Sequence, residues 1–393
     1  MNRSILVVAM IDSIHTARWI EQITHQGWKV YIFPSIRGVK AHQKLENAII
    51  IQSKLFGLAQ YLFEKFNFKS GVKLISWLER HHEKKHPTNQ LKNLIKTIKK
   101  LHPDIIHSME IQAAGYLTLE AKNAFDSHFP TWIVTNWGSD IFLFGRLQTH
   151  KKKIREVLTK CDYYSCECQR DINLAHTFGF RGRTLPVFPN TGGFNLQELE
   201  LLRQNKTSTR HLIMLKGYQN WAGRALVGLR ALERCIDLLG GYEICIYSAP
   251  PDVVLAAELF SEKNGIPTRI IPLETSHKDM LILHAQARIS IGLSISDAIS
   301  TSFLEAMVMG SFPIQSCTAC VNEWIEHSVS GMIVPPEDPD VIEMSIRIAL
   351  TDDNLVDQAA ELNWNIAKKR LDGDMIKDMT LNIYNTILNN ENP

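Results

Sequence analysis

The stretch "ARISIGLSISDAISTSFLEAMVMG" (287–310) passes from an apolar run, through small and hydroxyl residues, into a helical pattern. A buried strand, a loop and a helix opening directly on that loop make one βα unit. The helix, expected to start near Ser302, offers backbone N–H groups and the positive end of its dipole, an anion site suited to a diphosphate. Ala298, Ser300, Thr301 and Ser302 are small enough to let a ligand approach the backbone. Asp297 lies on the loop and Glu305 in the expected first turn. Two acids beside an anion site repel a phosphate unless they face something else, and sugar hydroxyls are suitable partners because carboxylates accept from them strongly. Glu305 has a second reading: Ser302-Phe303-Leu304-Glu305 fits a capping box.

Outward from this unit the same alternation repeats. Strands are expected at 4–11, 28–33, 103–109, 131–137 and 163–168, with a helix at 16–26. After a polar, turn-rich stretch at 189–209 the pattern restarts. Strands are expected at 211–217, 242–248, 268–273 and 287–295, a helix at 223–239, and three amphipathic helices near 339–350, 354–370 and 374–389. Alternation of this kind implies an α/β chain with parallel sheets. It reads as two doubly wound, Rossmann-like domains facing across a cleft, with ligands beyond the carboxyl ends of the strands.

The chain has 393 residues, 45% hydrophobic and 21% charged, with net charge +2, which is ordinary globular composition and long enough for two domains. The first apolar run, 5–11, is short for a signal-peptide core, and no stretch approaches the ~20 apolar residues of a membrane span. Seven scattered cysteines, an odd number, read as reduced thiols and a cytoplasmic protein. Cys317 and Cys320 have no second pair to complete a zinc site. There is no G-x-G-x-x-G fingerprint and no Walker A loop, which argues against a dehydrogenase or a P-loop kinase. Asp338-Pro339-Asp340 and Asp372-Gly373-Asp374 match a metal-binding D-x-D on paper, but both read as acids at helix N-termini, so no metal is expected.

A second strand end, "KGYQNWAGRA" (216–225), carries Lys216 and Arg224 around a glycine-containing turn. Two cations there would neutralise a diphosphate, or be two surface cations. In the first half, His15 follows strand one; it is a candidate near the acceptor or the diphosphate, and equally a cap or surface residue. Asp140 has the same standing. Glu110, Gln112 and Tyr116 either line an acceptor site or support the turn after a strand, the second being preferred. The basic segment 65–100, with Phe63, Phe66, Phe68 and Trp77 nearby, reads either as contact with an anionic membrane or as a solvated helix whose apolar face packs on the sheet. With a small net charge and no recognition module, nucleic acid is not an expected partner.

The stretch "DAISTSFLEAMVMGSFPIQS" (297–316) resembles the E-x7-E region of family 4 retaining glycosyltransferases, with Asp297 in the first acidic place and Glu305 in the second. "DSIHTARWIEQITHQGWKVYIF", "PDIIHSMEIQAAGY", "WIVTNWGSDIF", "VFPN" and "EHSVSGMIVPPEDPD" are similar to the same group, in the same order, over most of the chain. The resemblance implies a GT-B fold: an acceptor-side domain at 1–190, a linker at 191–209, a nucleotide-sugar domain at 210–373, and a last helix at 374–393 crossing back to the first domain. It implies that Asp297 holds hydroxyls of the transferred sugar and Glu305 those of the ribose. Lys216 and Arg224 would hold the diphosphate, helped by Gly217 and backbone N–H groups near Ser300 and Thr301. His15, Asp140 and Glu110 would lie on the acceptor side.

Three departures stand out: Asp297 where Glu is commoner, Trp137 where many relatives have histidine before Gly138-Ser139-Asp140, and a Lys216 and Arg224 that stand eight positions apart. The implied activity is metal- and cofactor-free transfer of a sugar from a nucleotide-diphosphate sugar to a hydroxyl acceptor, a glycan or lipid-linked one, with retention, in polysaccharide or glycolipid synthesis. The alternatives are an epimerase or phosphorylase of the same fold, or a transferase-like scaffold without activity.

Overall fold

The computed structural model describes residues 3–45, 48–51, 88–203 and 206–390. The chain divides into two compact units, residues 1–192 with 377–393, and residues 193–376.

The first unit is built on strands β1 (Ser4–Ala9), β2 (Lys29–Pro34), β3 (Ile49–Ile50), β4 (Ile105–Met109), β5 (Thr131–Thr135), β6 (Tyr163–Ser165) and β7 (Arg183–Thr184). They pair in parallel in the order β3-β2-β1-β4-β5-β6-β7. Every residue of β1 is buried, the near-continuous apolar character of a parallel strand covered on both faces. Helix α1 (Ile14–Ile23) is capped by Ser13, whose hydroxyl accepts from His15 N at 3.2 Å, and buries Ala17, Trp19, Ile20 and Ile23. Helix α2 (Thr88–Leu101) sinks Leu94 and Ile98 into the core and leaves Lys92, Lys96, Lys99 and Lys100 exposed. The described part of the basic segment thus spends its apolar face on packing; residues 52–87, with Phe63, Phe66, Phe68 and Trp77, lie outside the described residues. Beyond β4 come a π turn, Ile111–Gly115, and α3 (Tyr116–Asn123), and beyond β5 the helices α4 (Ser139–Phe142), α5 (Gln148–Lys160) and α6 (Gln169–Thr177).

The second unit holds α7 (Leu196–Leu202), β8 (Leu212–Lys216), a hairpin of β9 (Gln219–Asn220) and β10 (Gly223–Arg224), then α8 (Ala225–Glu233), β11 (Glu243–Tyr247), α9 (Pro251–Asn264) and β12 (Thr268–Ile271). It continues through α10 (His277–Gln286), β13 (Ala287–Gly292), α11 (Thr301–Met309), β14 (Phe312–Ser316), β15 (Met332–Val334), α12 (Pro339–Thr351) and α13 (Asp353–Arg370). Its parallel sheet runs β12-β11-β8-β13-β14-β15. The stretch read as a linker contains α7, which buries Leu196 and Leu199 against Phe303, Leu304 and Trp364 in one core cluster.

The last helix, α14 (Gly373–Asn390), counts with the first unit from Lys377 onward. Trp19 Nε1 donates to the Tyr384 hydroxyl at 2.8 Å, and that hydroxyl lies 2.7 Å from His107 Nδ1. His107 Nε2 lies 2.6 Å from Thr135 Oγ1. Burial drives the His107 pKa down to about 3, so the ring is neutral. An indole N–H only donates, so the Tyr384 hydroxyl gives its proton to Nδ1 and His107 carries its own on Nε2.

In each sheet the strand order reverses once, between β1 and β4 and between β8 and β13. Such reversals open the crevices where α/β sheets bind ligands.

Candidate active site

At the second reversal the chain places a lysine and a helix start together. Lys216 ends β8 and is only 7% exposed. Its Nζ lies 3.1 Å from Ser300 Oγ, 3.5 Å from Ser294 Oγ and 3.6 Å from Asp297 Oδ2, and 5.5 Å from the centre of the Tyr218 ring. A buried ammonium is tolerated only with such partners. Gly217 lets the chain turn here: its N–H donates to Tyr247 O at 2.7 Å, and a Cβ would come within 2.6 Å of that same oxygen.

The 293–300 loop is pinned from both sides. Ile295 and Ser296 N–H donate to Trp221 O at 2.9 and 3.1 Å, Ser294 Oγ donates to Ala222 O at 2.8 Å, and Asp297 bridges Ala319. Ser300 is the N-cap of α11, yet its side chain does not cap the helix; the Ser300 hydroxyl is turned to Lys216 and to Ser302 Oγ, 2.9 Å away. The positive end of the dipole and the ammonium therefore share one spot, with the Asp297 carboxylate beside them.

Glu305 departs from its expected place. The helix starts at Thr301, so Glu305 lies past the first turn, and no capping box with Ser302 forms. A box requires the serine at the N-cap, and Ser300 holds that position. The Glu305 carboxylate is nearly buried and faces α10: Oε1 is 2.9 Å from His277 Nε2, and Oε2 is 3.8 Å from His284 Nε2. Arg224 keeps other company. Its Nε donates to Glu337 Oε1 at 2.9 Å and its guanidinium also meets the Asn220 and Gly223 carbonyls.

In the first unit, His15 lies in the first turn of α1 with its ring 5.5 Å from that of Trp137. Asp140 is buried; its Oδ2 accepts from Ile111 N at 2.9 Å and burial pushes its pKa up to about 6. Glu110 stands at φ +78° and its carboxylate accepts from the N–H groups of Gln112, Ala113 and Ala114 at 2.9, 2.5 and 2.6 Å. It caps the π turn. Burial and then Asp140 push its pKa up, against the pull of those three donors. Gln112 Nε2 donates to Asp140 O, tying the turn to α4, while the Tyr116 hydroxyl meets His150 Nδ1 on α5.

Among the acids of the two D-x-D stretches, Asp338 caps α12 and Asp372 accepts from Met375 N at the start of α14. The structure thus gathers Lys216, Asp297, Ser300 and Thr301, with Glu305 further along the same helix. The sequence reading missed Ser294, His277 and His284. Only a hydroxyl residue at a strand end signalled the first, and nothing local signalled the histidines, which lie 28 and 21 residues before their carboxylate.

Two family models match the chain: glycosyl transferase 4-like over residues 4–165 and glycosyl transferases group 1 over residues 257–366. No curated protein matches it significantly in sequence. Sucrose-phosphate synthase from Thermosynechococcus elongatus is similar in structure, with a TM-score of 0.72 and 13% identity over 99% of this chain and 100% of that one. HepE from Anabaena, solved with UDP-glucose, gives a TM-score of 0.70 and 14% identity over 98% and 100%. A glycosyltransferase from Rickettsia africae gives a TM-score of 0.68 and 15% identity over 100% of both. No described helix is long and apolar enough to cross a membrane. With both halves matched and a parallel α/β sheet in each unit, the chain belongs to the group 1-type glycosyltransferases of GT-B fold.

Proposed function

We propose that this enzyme transfers a sugar from a nucleotide-diphosphate sugar to a hydroxyl of a glycan or lipid-linked acceptor, with retention at the anomeric carbon and without a metal. The observation that carries this reading is Lys216, buried at a strand end within 3.6 Å of Asp297 and 3.1 Å of the residue that opens α11. When the glycosidic C–O bond breaks, its electron pair leaves with the diphosphate, and negative charge grows on the phosphate oxygen. An ammonium and a helix dipole fixed at that point stabilise the departing group more than the bound donor, which is what lowers a barrier. Asp297 would take hydroxyls of the transferred sugar and Glu305 those of the ribose. Arg224 would join the diphosphate on leaving Glu337, a surface partner held only weakly.

UDP is the first nucleotide to try, because the similar HepE was solved with UDP-glucose and with UDP. Polysaccharide or glycolipid synthesis in the cytoplasm is the proposed setting. Contact with anionic lipid through 65–100 would then rest on the lysine face of α2 and on residues outside those described.

The test is calorimetric titration of UDP, GDP and ADP in EDTA, followed by turnover of the matching sugar nucleotide. One nucleotide should bind, and Lys216→Ala should lower kcat by about 10²–10³, the cost of one lost transition-state donor. Binding that appears only when a divalent cation is restored would end the metal-free proposal. A variant as active as the wild type would remove Lys216 from the chemistry.

A further inference from the structure

Glu305 is buried on the inner side of its helix, and a glutamate has three side-chain torsions to fix before it can meet a diol. What fixes it is α10. Ser276 caps that helix, accepting from Asp279 N at 3.1 Å, and so sets the place of His277, the first helical residue. His284 follows seven positions later, on the same face two turns on. His277 lies 2.9 Å from one carboxylate oxygen, while its own side chain is 45% exposed, so its ring is no core filler.

His284 is wholly buried and its Nε2 finds no hydrogen-bond partner among the described residues, although it faces the second oxygen at 3.8 Å. Its Nδ1 is 3.0 Å from Ser290 Oγ, which is 2.8 Å from Ser311 Oγ. Burial holds His284 below its ordinary pKa, so it carries one ring proton. A carboxylate opposite Nε2 places that proton there. Ser311 then donates to Ser290, Ser290 to Nδ1, and Nε2–H is left aimed at Glu305.

We propose that His277 and His284 are positioning residues that hold the Glu305 carboxylate in register for the ribose hydroxyls of the nucleotide donor, His277 by its hydrogen bond to Oε1 and His284 by facing Oε2. The inference rests on the reading of Glu305 as the ribose partner. It makes hydroxyl recognition, rather than diphosphate binding, the property that α10 controls.

The experiment measures the ratio of affinities for UDP and 2′,3′-dideoxy-UDP, or for whichever of the UDP, GDP and ADP pairs binds. It is run on the full chain as wild type, Glu305→Gln, His277→Ala and His277→Gln, with a thermal melt of each. The wild type should prefer the ribonucleotide, and Glu305→Gln should erase most of that preference. His277→Ala should cut the preference by about tenfold, the scale of one hydrogen bond to a charged group, while the dideoxy affinity stays put. His277→Gln, whose amide N–H stands in for Nε2–H, should restore it. His284→Gln should lower it too; if that buried variant does not fold, the His277 pair decides alone. An unchanged preference in His277→Ala, with Glu305→Gln still sensitive, overturns the positioning role. If Glu305→Gln keeps the full preference, or no nucleotide binds, the ribose reading itself falls and takes the inference with it.

Discussion

Lys216, Asp140 and His107 are buried residues of types that ordinarily sit in water, and each is kept by a different device. Lys216 has partners on three sides. Asp140 has the Ile111 N–H to hold its carboxyl, and its pKa is raised from 3.8 to about 6, chiefly by burial. His107 gives its proton up, lowered from 6.5 to about 3 by burial. The two titrations act on stability in opposite senses. Between pH 3.8 and about 6 the folded chain holds an Asp140 proton that the unfolded chain has released, so stability is lost as pH rises through this window. Between about 3 and 6.5 the unfolded chain holds a His107 proton that the folded chain lacks, so stability is lost as pH falls. Asp140→Asn removes the first slope and leaves the second. Relative to wild type, the variant should lose about 1.4 kcal/mol per pH unit between pH 6 and 4, read by urea unfolding at three pH values. Parallel curves would show that Asp140 titrates as an ordinary carboxylate.

At the scale of elements, strands β1, β8 and β13 were legible because a strand covered on both faces must be apolar throughout, and few other patterns look like that. The helix of the acidic pair was legible for the same kind of reason, a loop of small residues between an apolar run and a helical period. What the sequence could not carry is side-chain direction. The string Ser302 to Glu305 suits a capping box, and only the N-cap at Ser300 turns Glu305 toward α10. Likewise 189–209 looks polar at its ends, while Leu196 and Leu199 at its centre find apolar neighbours supplied by distant helices. Helix α14 shows how much one such distant contact holds. Tyr384→Phe strands the Trp19 Nε1 donor and His107 Nδ1 in a dry interior, and should cost about 2–4 kcal/mol in thermal or urea unfolding. A loss under about 0.5 kcal/mol would mean that water reaches the site.

At the scale of the whole molecule, each unit has its own sheet and its own core, so ligand energy need not be shared evenly. The proposed nucleotide contacts belong to residues 216–305. At one hundred times its Kd, a nucleoside diphosphate should add about 2.7 kcal/mol of protection from hydrogen exchange to β8, β13 and α11. The amides of β1 and β5 should keep their unliganded rates, and uniform protection would refute this assignment. The first unit also has an unusual order of manufacture. Trp19 and Tyr384 are 365 residues apart, and the segment between them includes all of the second unit. A ribosome adding roughly 5–20 residues per second separates the two by roughly 20–70 s. Over that interval the nascent N-terminal sheet has an indole N–H and a histidine ring awaiting a hydroxyl not yet synthesised. The half of the enzyme made first is the half finished last.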